Sequence, residues 1–235
     1  MVPVSAGLPT AGPARLASRD RGDRPPNREH PGRFRCATVS GVEIIAPDPF
    51  AVLLDWLPGI PGRDGYFPVV SLATVGEDGG PDLRTLLISA IDNGRLSVHT
   101  DARSRKVTQL RADPRVAIAL LLPETSRQVT LTGRAAPADP AESAVAYANR
   151  SRYLQLLAWT NDADTAASGE QERRQRWADF AAAHPDGTLT APPDWIGFAI
   201  TPDRITFWQG AADAPSHRTE YRCEGSGWTT AELPG

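Results

Sequence analysis

Cysteine is scarce in this chain of 235 residues, which contains only Cys36 and Cys223, far apart and in unlike contexts. Two such thiols argue against a disulfide framework and against a cysteine-based metal site, so reduced thiols in the cytoplasm are the default expectation. The four histidines show no spacing typical of metal ligands; they are His30, His99, His184 and His217. The sequence therefore predicts no metal centre.

Long apolar runs and a strong charge of either sign are also absent. No apolar stretch approaches the ~20 residues needed to span a bilayer, and residues 1–16 lack the charged start and apolar core of a secretory signal. The formal net charge is −3, which gives no electrostatic reason to expect nucleic acid or a membrane surface as a partner. A globular protein that acts on small molecules is the class left by these exclusions.

Lysine is the rarest cation, because Lys106 is the single lysine among 25 basic residues. It lies in a segment that joins an apolar alternating run to a stretch with helical spacing. A strand that delivers Thr100, Ser104, Arg105 and Lys106 to the first turn of a helix makes an anion site, where backbone N–H groups, hydroxyls and cations converge. A solvated basic helix start is an equally good interpretation of this segment alone.

The chain divides by composition near residue 41. Residues 15–35 carry seven arginines, several prolines and scattered acids with almost no apolar periodicity. This pattern predicts a disordered or loosely ordered N-terminal arm over 1–41 and one folded domain over 42–235.

The folded part alternates strand and helix signals. Asp48-Pro49 is a helix start, residues 69–75 read as a strand, and Asn93-Gly94 predicts a type I′ hairpin turn. Towards the C-terminus, residues 195–200 and 204–208 are interpreted as two separate short strands. About seven or eight strands, mostly joined by hairpins with helices between them, predict a mainly β (α+β) fold and an antiparallel barrel.

Four motifs in one order carry a family resemblance. They are Arg84-Thr85-Leu86-Leu87-Ile88, Thr100 with Ser104-Arg105-Lys106, Arg127-Gln128-Val129, and Phe207-Trp208-Gln209-Gly210 with Arg218 ten residues after the tryptophan. Over roughly residues 48–235 the chain resembles the pyridoxamine 5′-phosphate oxidase family of flavin mononucleotide (FMN) enzymes. The resemblance implies an antiparallel split β-barrel with flanking helices, and a homodimer with an FMN site at each side of its interface.

The resemblance also implies which residues hold the cofactor. The expected FMN ligands are Arg84, Thr85, Leu86, Leu87, His99, Thr100, Ser104, Arg105, Lys106, Gln128, Trp208 and Arg218, the last two supplied by the other subunit. Residue by residue, alternatives stay open. Arg84 can be a strand-face arginine, Gln128 a sheet-edge amide and Trp208 ordinary core, and His99 either donates to the cofactor or merely fills its strand.

The substrate side departs from the family pattern. Ser89 stands where the family has a lysine for the substrate phosphate, Leu154 stands where a phosphate-binding serine is expected, and Ala214 and Ser216 replace the arginine and histidine that embrace the vitamin ring. Losing several charge-assisted hydrogen bonds of ~1.5–3 kcal/mol each predicts much weaker binding of pyridoxamine phosphate. The candidate substrate residues are Tyr147, Arg150, Ser216 and His217, although His217 is as well explained as an exposed loop residue.

These observations predict an FMN-dependent oxidoreductase of the cytoplasm. Its expected reaction removes a hydride from an amine- or ring-activated carbon of a small metabolite, with molecular oxygen as acceptor, in specialised (natural-product) biosynthesis. The pattern also resembles the phenazine-pathway FMN oxidases. Two alternatives stay open: a genuine pyridoxamine/pyridoxine 5′-phosphate oxidase, and a flavin- or deazaflavin-binding protein without turnover.

Overall fold

A computed structural model describes residues 48–225 and 227–235. The predicted N-terminal arm over 1–41 lies outside the described residues, as do residues 42–47. The eight strands of the described part are β1 (Val69–Val75), β2 (Pro81–Asp92), β3 (Arg95–Asp101), β4 (Arg115–Leu122), β5 (Arg127–Pro137), β6 (Trp195–Gln209), β7 (His217–Glu224) and β8 (Gly227–Pro234).

Six α-helices connect or flank these strands in the described ranges. They are α1 (Pro49–Trp56), α2 (Arg105–Ala112), α3 (Pro140–Ala148), α4 (Arg152–Thr160), α5 (Ala163–Ala167) and α6 (Glu170–Ala183). The predicted start of α1 is confirmed, because the Asp48 carboxylate accepts a hydrogen bond from the N–H of Phe50. None of the helices in residues 48–225 is long and apolar enough to cross a membrane.

The strands form one antiparallel sheet that closes on itself. Its order is β3-β2-β1-β4-β5-β6-β7-β8, and β3 also pairs with β6. The pairing of β3 with β6 closes six strands into a barrel, and the β7–β8 hairpin extends from the same edge of β6. The β2–β3 turn has positive φ at Asn93 and Gly94, as a type I′ turn requires. The predicted antiparallel barrel with flanking helices is confirmed.

Strand β6 corrects one prediction, since residues 195–200 and 204–208 belong to one strand of 15 residues. One edge of β6 pairs with β5 along most of its length. The other edge pairs with β3 through Trp195–Ile200 and then with β7 through Arg204–Gln209. The polar interruption around Pro202 is therefore the point where β6 changes partner, and the register with β5 shifts there beside Gly133.

The barrel interior is the hydrophobic core. Leu72, Ile88, Ile200 and Ile205 are each 1% exposed or less, and they come from three different strands of the closed sheet, β1, β2 and β6. Because the inner face carries the core, alternate residues of the same strands point outwards. The outer face of the sheet consequently displays polar side chains of β5 to β7, whereas Arg84 of β2 is the cross-strand partner of Leu72 and lies at the inner side.

Candidate functional site

A cavity of about 470 Å³ lies where β2, β3, α2 and α4 meet. Most of the site residues predicted from the first two motifs line it, together with Arg150. The lining residues are Leu83, Arg84, Thr85, Leu86, Leu87, His99, Thr100, Arg105, Lys106, Arg150, Leu154, Leu157 and Asn161. The cavity is within the range of ~300–1,000 Å³ typical of small-molecule sites.

Lys106 is held at one end of this cavity by the junction of β3 and α2. Its ammonium donates a hydrogen bond of 2.9 Å to the hydroxyl of Thr100, the penultimate residue of β3. Ser104 is the N-cap of α2, but its hydroxyl lies 3.3 Å from Thr100 Oγ1 and does not cap the helix. Burial and the nearby Arg84 guanidinium lower the pKa of Lys106, so an anion at this end would stabilise its charged form.

Two arginines complete this end of the cavity and are held by an acid that sequence reasoning missed. The Asp82 carboxylate lies 3.2 Å from Arg84 Nη2 and 2.9 Å from Arg105 Nε. A hydrogen bond of 2.8 Å from the Gln109 side chain lowers the pKa of Asp82, and the two arginines lower it further. Gln109 also accepts from Arg84. Asp82 stands two residues before Arg84 in a predicted strand, so both side chains lie on the same face. That spacing could have predicted the pair from the sequence.

His99 lies on the wall of the cavity and is 8% exposed. Its Nδ1 is 2.9 Å from Ser89 Oγ, and its ring stacks on Trp195 with centroids 5.5 Å apart. Burial, followed by the charge of Arg150, lowers the pKa of His99 to about 4. His99 is therefore neutral near pH 7.

Arg150 reaches the same region from the end of α3. Its guanidinium lies over the Trp195 ring, 4.3 Å from the centroid, and burial lowers its pKa to about 10. Trp195 was not singled out by the sequence, although it is the ring on which His99 and Arg150 both pack. Tyr147 packs edge-on against Trp195 but does not line the cavity, because its buried hydroxyl donates to the carbonyl of Gln155 at 3.1 Å.

The residues predicted from the last two motifs form a second group. Gln128, Trp208 and Arg218 are direct cross-strand partners on β5, β6 and β7, so their side chains share one face of the sheet. They face outwards, since the flanking Val129 and Phe207 are in the core. None of the three lines the cavity.

Ser216 and His217 stand at the start of β7, beside this second group. The ring of His217 is exposed and its Nε2 lies 2.9 Å from the Glu232 carboxylate. In a single chain neither residue lines the cavity. Their substrate roles, like those of Tyr147 and Arg150, remain predictions. Over residues 48–225 and 227–235, no cluster of three or more histidine, cysteine or acidic side chains is arranged to hold a metal ion.

The fold and the site together define a split-barrel protein with a cation-lined cavity between β2, β3, α2 and α4. Residues 65–209 match the protein family described as Pyridoxamine 5′-phosphate oxidase. Residues 195–233 match the Pyridoxine 5′-phosphate oxidase C-terminal dimerisation region, which supports a homodimer. The chain belongs to the pyridoxamine 5′-phosphate oxidase family, and the predicted resemblance is confirmed.

Curated relatives agree with this assignment. The chain is 33% identical to a pyridoxine/pyridoxamine 5′-phosphate oxidase of Chromobacterium violaceum over 81% of its own length and 90% of the relative. It is 32% identical to the protein of the same name from Rhodospirillum rubrum, over 79% of its length and 96% of the relative. These relatives are named oxidases, which supports an oxidoreductase.

Among solved structures, the chain is similar to PhzG from Burkholderia lata 383 in complex with tetrahydrophenazine-1-carboxylic acid. The TM-score is 0.68 at 23% identity, over 83% of this chain and 100% of PhzG. It is also similar to a pyridoxamine 5′-phosphate oxidase-related, FMN-binding protein from Nostoc punctiforme, with a TM-score of 0.50 at 20% identity, over 72% of this chain and 87% of that protein. At these identities the likeness establishes the fold.

Proposed function

We propose that this protein is an FMN-dependent oxidase of a small metabolite in specialised biosynthesis, with molecular oxygen as the electron acceptor. The observation that carries the proposal is the cation-rich end of the 470 Å³ cavity, where Lys106, Arg105, Arg84 and Thr100 converge at the start of α2. A cavity with hydroxyl, ammonium and guanidinium groups at one end and apolar walls further along suits a phosphate ester that carries a flat ring.

The residues present fit the phosphate of FMN. Lys106 is partly buried with its pKa lowered, and Arg105, whose side chain is 78% exposed, has Asp82 as its ion-pair partner. A phosphate dianion would offset the desolvation of Lys106 and would give Arg105 a second anionic partner. Thr100 would donate its hydroxyl to a phosphate oxygen while Lys106 supplies charge.

The ring of FMN would lie along the apolar part of the same cavity. Leu86 and Leu87 of β2 and Leu154 and Leu157 of α4 line it and would exclude water from the reacting face. Bound FMN supplies hydride acceptance and, with molecular oxygen, reoxidation. The chain has to place the donor carbon of the substrate over the ring, which is a positioning task that needs no strong base.

The second group of residues would complete the site only in a homodimer. Gln128 lies on β5, three strands from β2 in either direction around the barrel, and Trp208 lies on the part of β6 that pairs with β7 and not with β3. Neither side chain lines the cavity of its own chain. A two-fold axis through the outer face would bring Trp208 and Arg218 of a second copy to the cavity. The exposed Leu83, Val69 and Leu121 on this side of the sheet would be buried by that contact.

The substrate end favours a metabolite other than the vitamin phosphate. Ser89 and Leu154 stand where the family pattern has a phosphate-binding lysine and serine, and Ser89 is hydrogen-bonded to His99 instead. PhzG, whose solved complex holds tetrahydrophenazine-1-carboxylic acid, shows that this fold accommodates a ring acid. We therefore place the substrate among small ring or amine metabolites.

A genuine pyridoxamine/pyridoxine 5′-phosphate oxidase is the second candidate, and the names of the curated relatives favour it.

Purified protein should be yellow with the absorption bands of oxidised flavin, and released FMN should be identified by mass spectrometry. Colourless protein that does not take up added FMN would refute the proposal. Rapid formation of pyridoxal 5′-phosphate from pyridoxamine 5′-phosphate and oxygen would establish the second candidate. Flavin retention without peroxide release from a panel of ring amines would instead support a binding protein without turnover.

A further inference from the structure

We propose that the end of the cavity lined by Arg150 and His99, which both pack on Trp195, is a substrate subsite for a group with one negative charge, a carboxylate, and that it discriminates against a phosphate monoester. The inference rests on the proposed function, since it assigns the substrate end of the same cavity. It follows from the number of cations at this end, from the contacts that fix them and from the shape of the guanidinium.

Arg150 is the cation of this subsite. Within residues 48–225 and 227–235 it forms no ion pair with any carboxylate, and its buried Nε has no hydrogen-bond partner. Its contact of 4.3 Å with the Trp195 ring holds the guanidinium in place. A buried cation without a counter-charge is costly, so a ligand anion here would be bound strongly.

The three other cations that line the cavity belong to its opposite end. Arg84 and Arg105 share the Asp82 carboxylate, and Lys106 is bonded to Thr100. The pKa shifts separate the same two ends of the cavity. Arg84 lowers the pKa of Lys106 at the first end, whereas Arg150 lowers the pKa of His99 at the other end. With FMN phosphate at the first end, Arg150 alone faces a substrate anion.

His99 lines the subsite as a neutral ring and adds no charge to it. Its ring is fixed between Ser89 at 2.9 Å and the face of Trp195. It lies over Gly197 of β6, where a Cβ atom would meet His99 Nε2 at 2.7 Å. The Nε2 atom is buried and has no protein partner. Ser89, the residue at the position of the family lysine, is thus used to position a neutral ring.

One cation balances one charge. A carboxylate bound by Arg150 would form two parallel hydrogen bonds to the planar guanidinium, and its charge would be neutralised. A phosphate monoester dianion would keep one uncompensated charge in a buried site, at a large desolvation penalty. The FMN ring, which we propose to lie along Leu154 and Leu157, would present a flat apolar face beside Arg150, which favours a carboxylate carried on an apolar or aromatic framework.

The test compares benzoate with phenyl phosphate by isothermal titration calorimetry on the full-length protein loaded with FMN. At about pH 8 the phosphate ester is a dianion, because its second pKa is ~6. We expect benzoate to bind at least about tenfold more tightly, and Arg150→Gln to weaken it by about tenfold to a hundredfold. Phenyl phosphate binding as tight as benzoate, no benzoate binding, or benzoate binding that survives Arg150→Gln would each overturn the subsite.

The calorimeter detects anion binding whether or not flavin is present, so failure of the proposed function is seen separately as colourless protein. In that event the comparison is made in the Lys106→Ala background, which weakens phosphate binding at the first end. The benzoate preference and its dependence on Arg150 then decide the inference alone.

A gain of phosphate binding gives a readout that loss of structure cannot imitate. Ser89→Lys adds a second cation and should shift the binding ratio towards phenyl phosphate by about tenfold or more, whereas Ser89→Met, a side chain of similar length without the charge, should not gain phosphate binding. If Ser89→Lys does not fold, Leu154→Arg adds the cation from a half-buried helix position, with Leu154→Met as its matched control. An unchanged ratio in a folded Ser89→Lys or Leu154→Arg protein would refute the charge-count argument.

Discussion

Lys106 Nζ donates a 2.9 Å hydrogen bond to Thr100 Oγ1 and thereby ties the first turn of α2 to the end of β3. Lys106 is the sole lysine of the sequence, so a chain that otherwise uses arginine has a compact ammonium at this one position. A point charge with freely rotating donors can approach a phosphate oxygen and a threonine hydroxyl together, which a planar guanidinium does less well.

The first prediction concerns this lysine. Lys106→Met keeps the length of the side chain and removes one charge-assisted hydrogen bond to phosphate, so FMN affinity should fall by about tenfold to a hundredfold. Fluorescence titration of FMN into apoprotein measures the change. The control is Arg111→Ala, which removes an exposed cation from the last turn of the same helix and should leave affinity unchanged. Equal FMN affinity in Lys106→Met and wild type would contradict the phosphate clamp.

The second prediction is a pH dependence of stability. The pKa of His99 is about 4 in the folded protein and ~6.5 in the unfolded chain, so the folded pKa is depressed. The free energy of unfolding is therefore fully retained above about pH 6.5 and falls as the pH drops from there towards 4, by up to about 3 kcal/mol. Urea unfolding at about pH 7 and pH 4.5 measures this loss.

His99→Asn should flatten that dependence, because no buried imidazole then has to be protonated. His217→Asn, which changes a histidine with an exposed ring, should retain the wild-type slope. A His99→Asn protein with the full wild-type loss between the two pH values would show that other groups cause it.

The third prediction tests the change of partner along β6. A Cβ atom at Gly133 would meet the carbonyl oxygen of Thr201 at 2.3 Å and Pro202 Cα at 2.7 Å. Both contacts are backbone atoms of the adjacent strand and cannot turn away. Gly133→Ala should destabilise the fold by about 1–3 kcal/mol, measured by urea unfolding. Gly227→Ala, where a Cβ meets nothing within 4 Å, is the control and should have little effect. Equal stabilities of the two variants would be inconsistent with this packing.

The fourth prediction tests whether the site is shared between subunits. Lys106→Ala and Trp208→Ala should each lose FMN binding as homodimers. When the two are co-expressed and exchange at random, about a quarter of all sites should regain both side chains, because each heterodimer has one intact site. Flavin content per chain measures the recovery. The control is Lys106→Ala co-expressed with Arg105→Ala. Both substitutions damage the phosphate end of the cavity, so neither site of a heterodimer is intact and no recovery is expected. Absence of recovery in the first pair would place Trp208 outside the partner's site.

Much of the fold follows from local signals in the sequence. The bounds of β1 and β4, the Asp48 helix start and the Asn93-Gly94 turn agree with the structure, because alternation, capping and positive φ are properties of neighbouring residues. The continuity of β6 does not follow from them. Its interruption at Pro202 looks like a strand end, and only the pairing of β6 with β3 and then β7 makes it one strand.

The candidate site likewise has a part that follows from neighbouring residues in the sequence and a part that does not. The sequence by itself determined that Thr100, Ser104, Arg105 and Lys106 meet where a strand becomes a helix, since these residues are adjacent along the chain. Tertiary structure alone decided that Asp82 also pairs with Arg105 of α2 and that Trp195 lies under His99 and Arg150. Those contacts join residues tens of positions apart, and barrel closure sets which of them become neighbours; no local pattern contains that information.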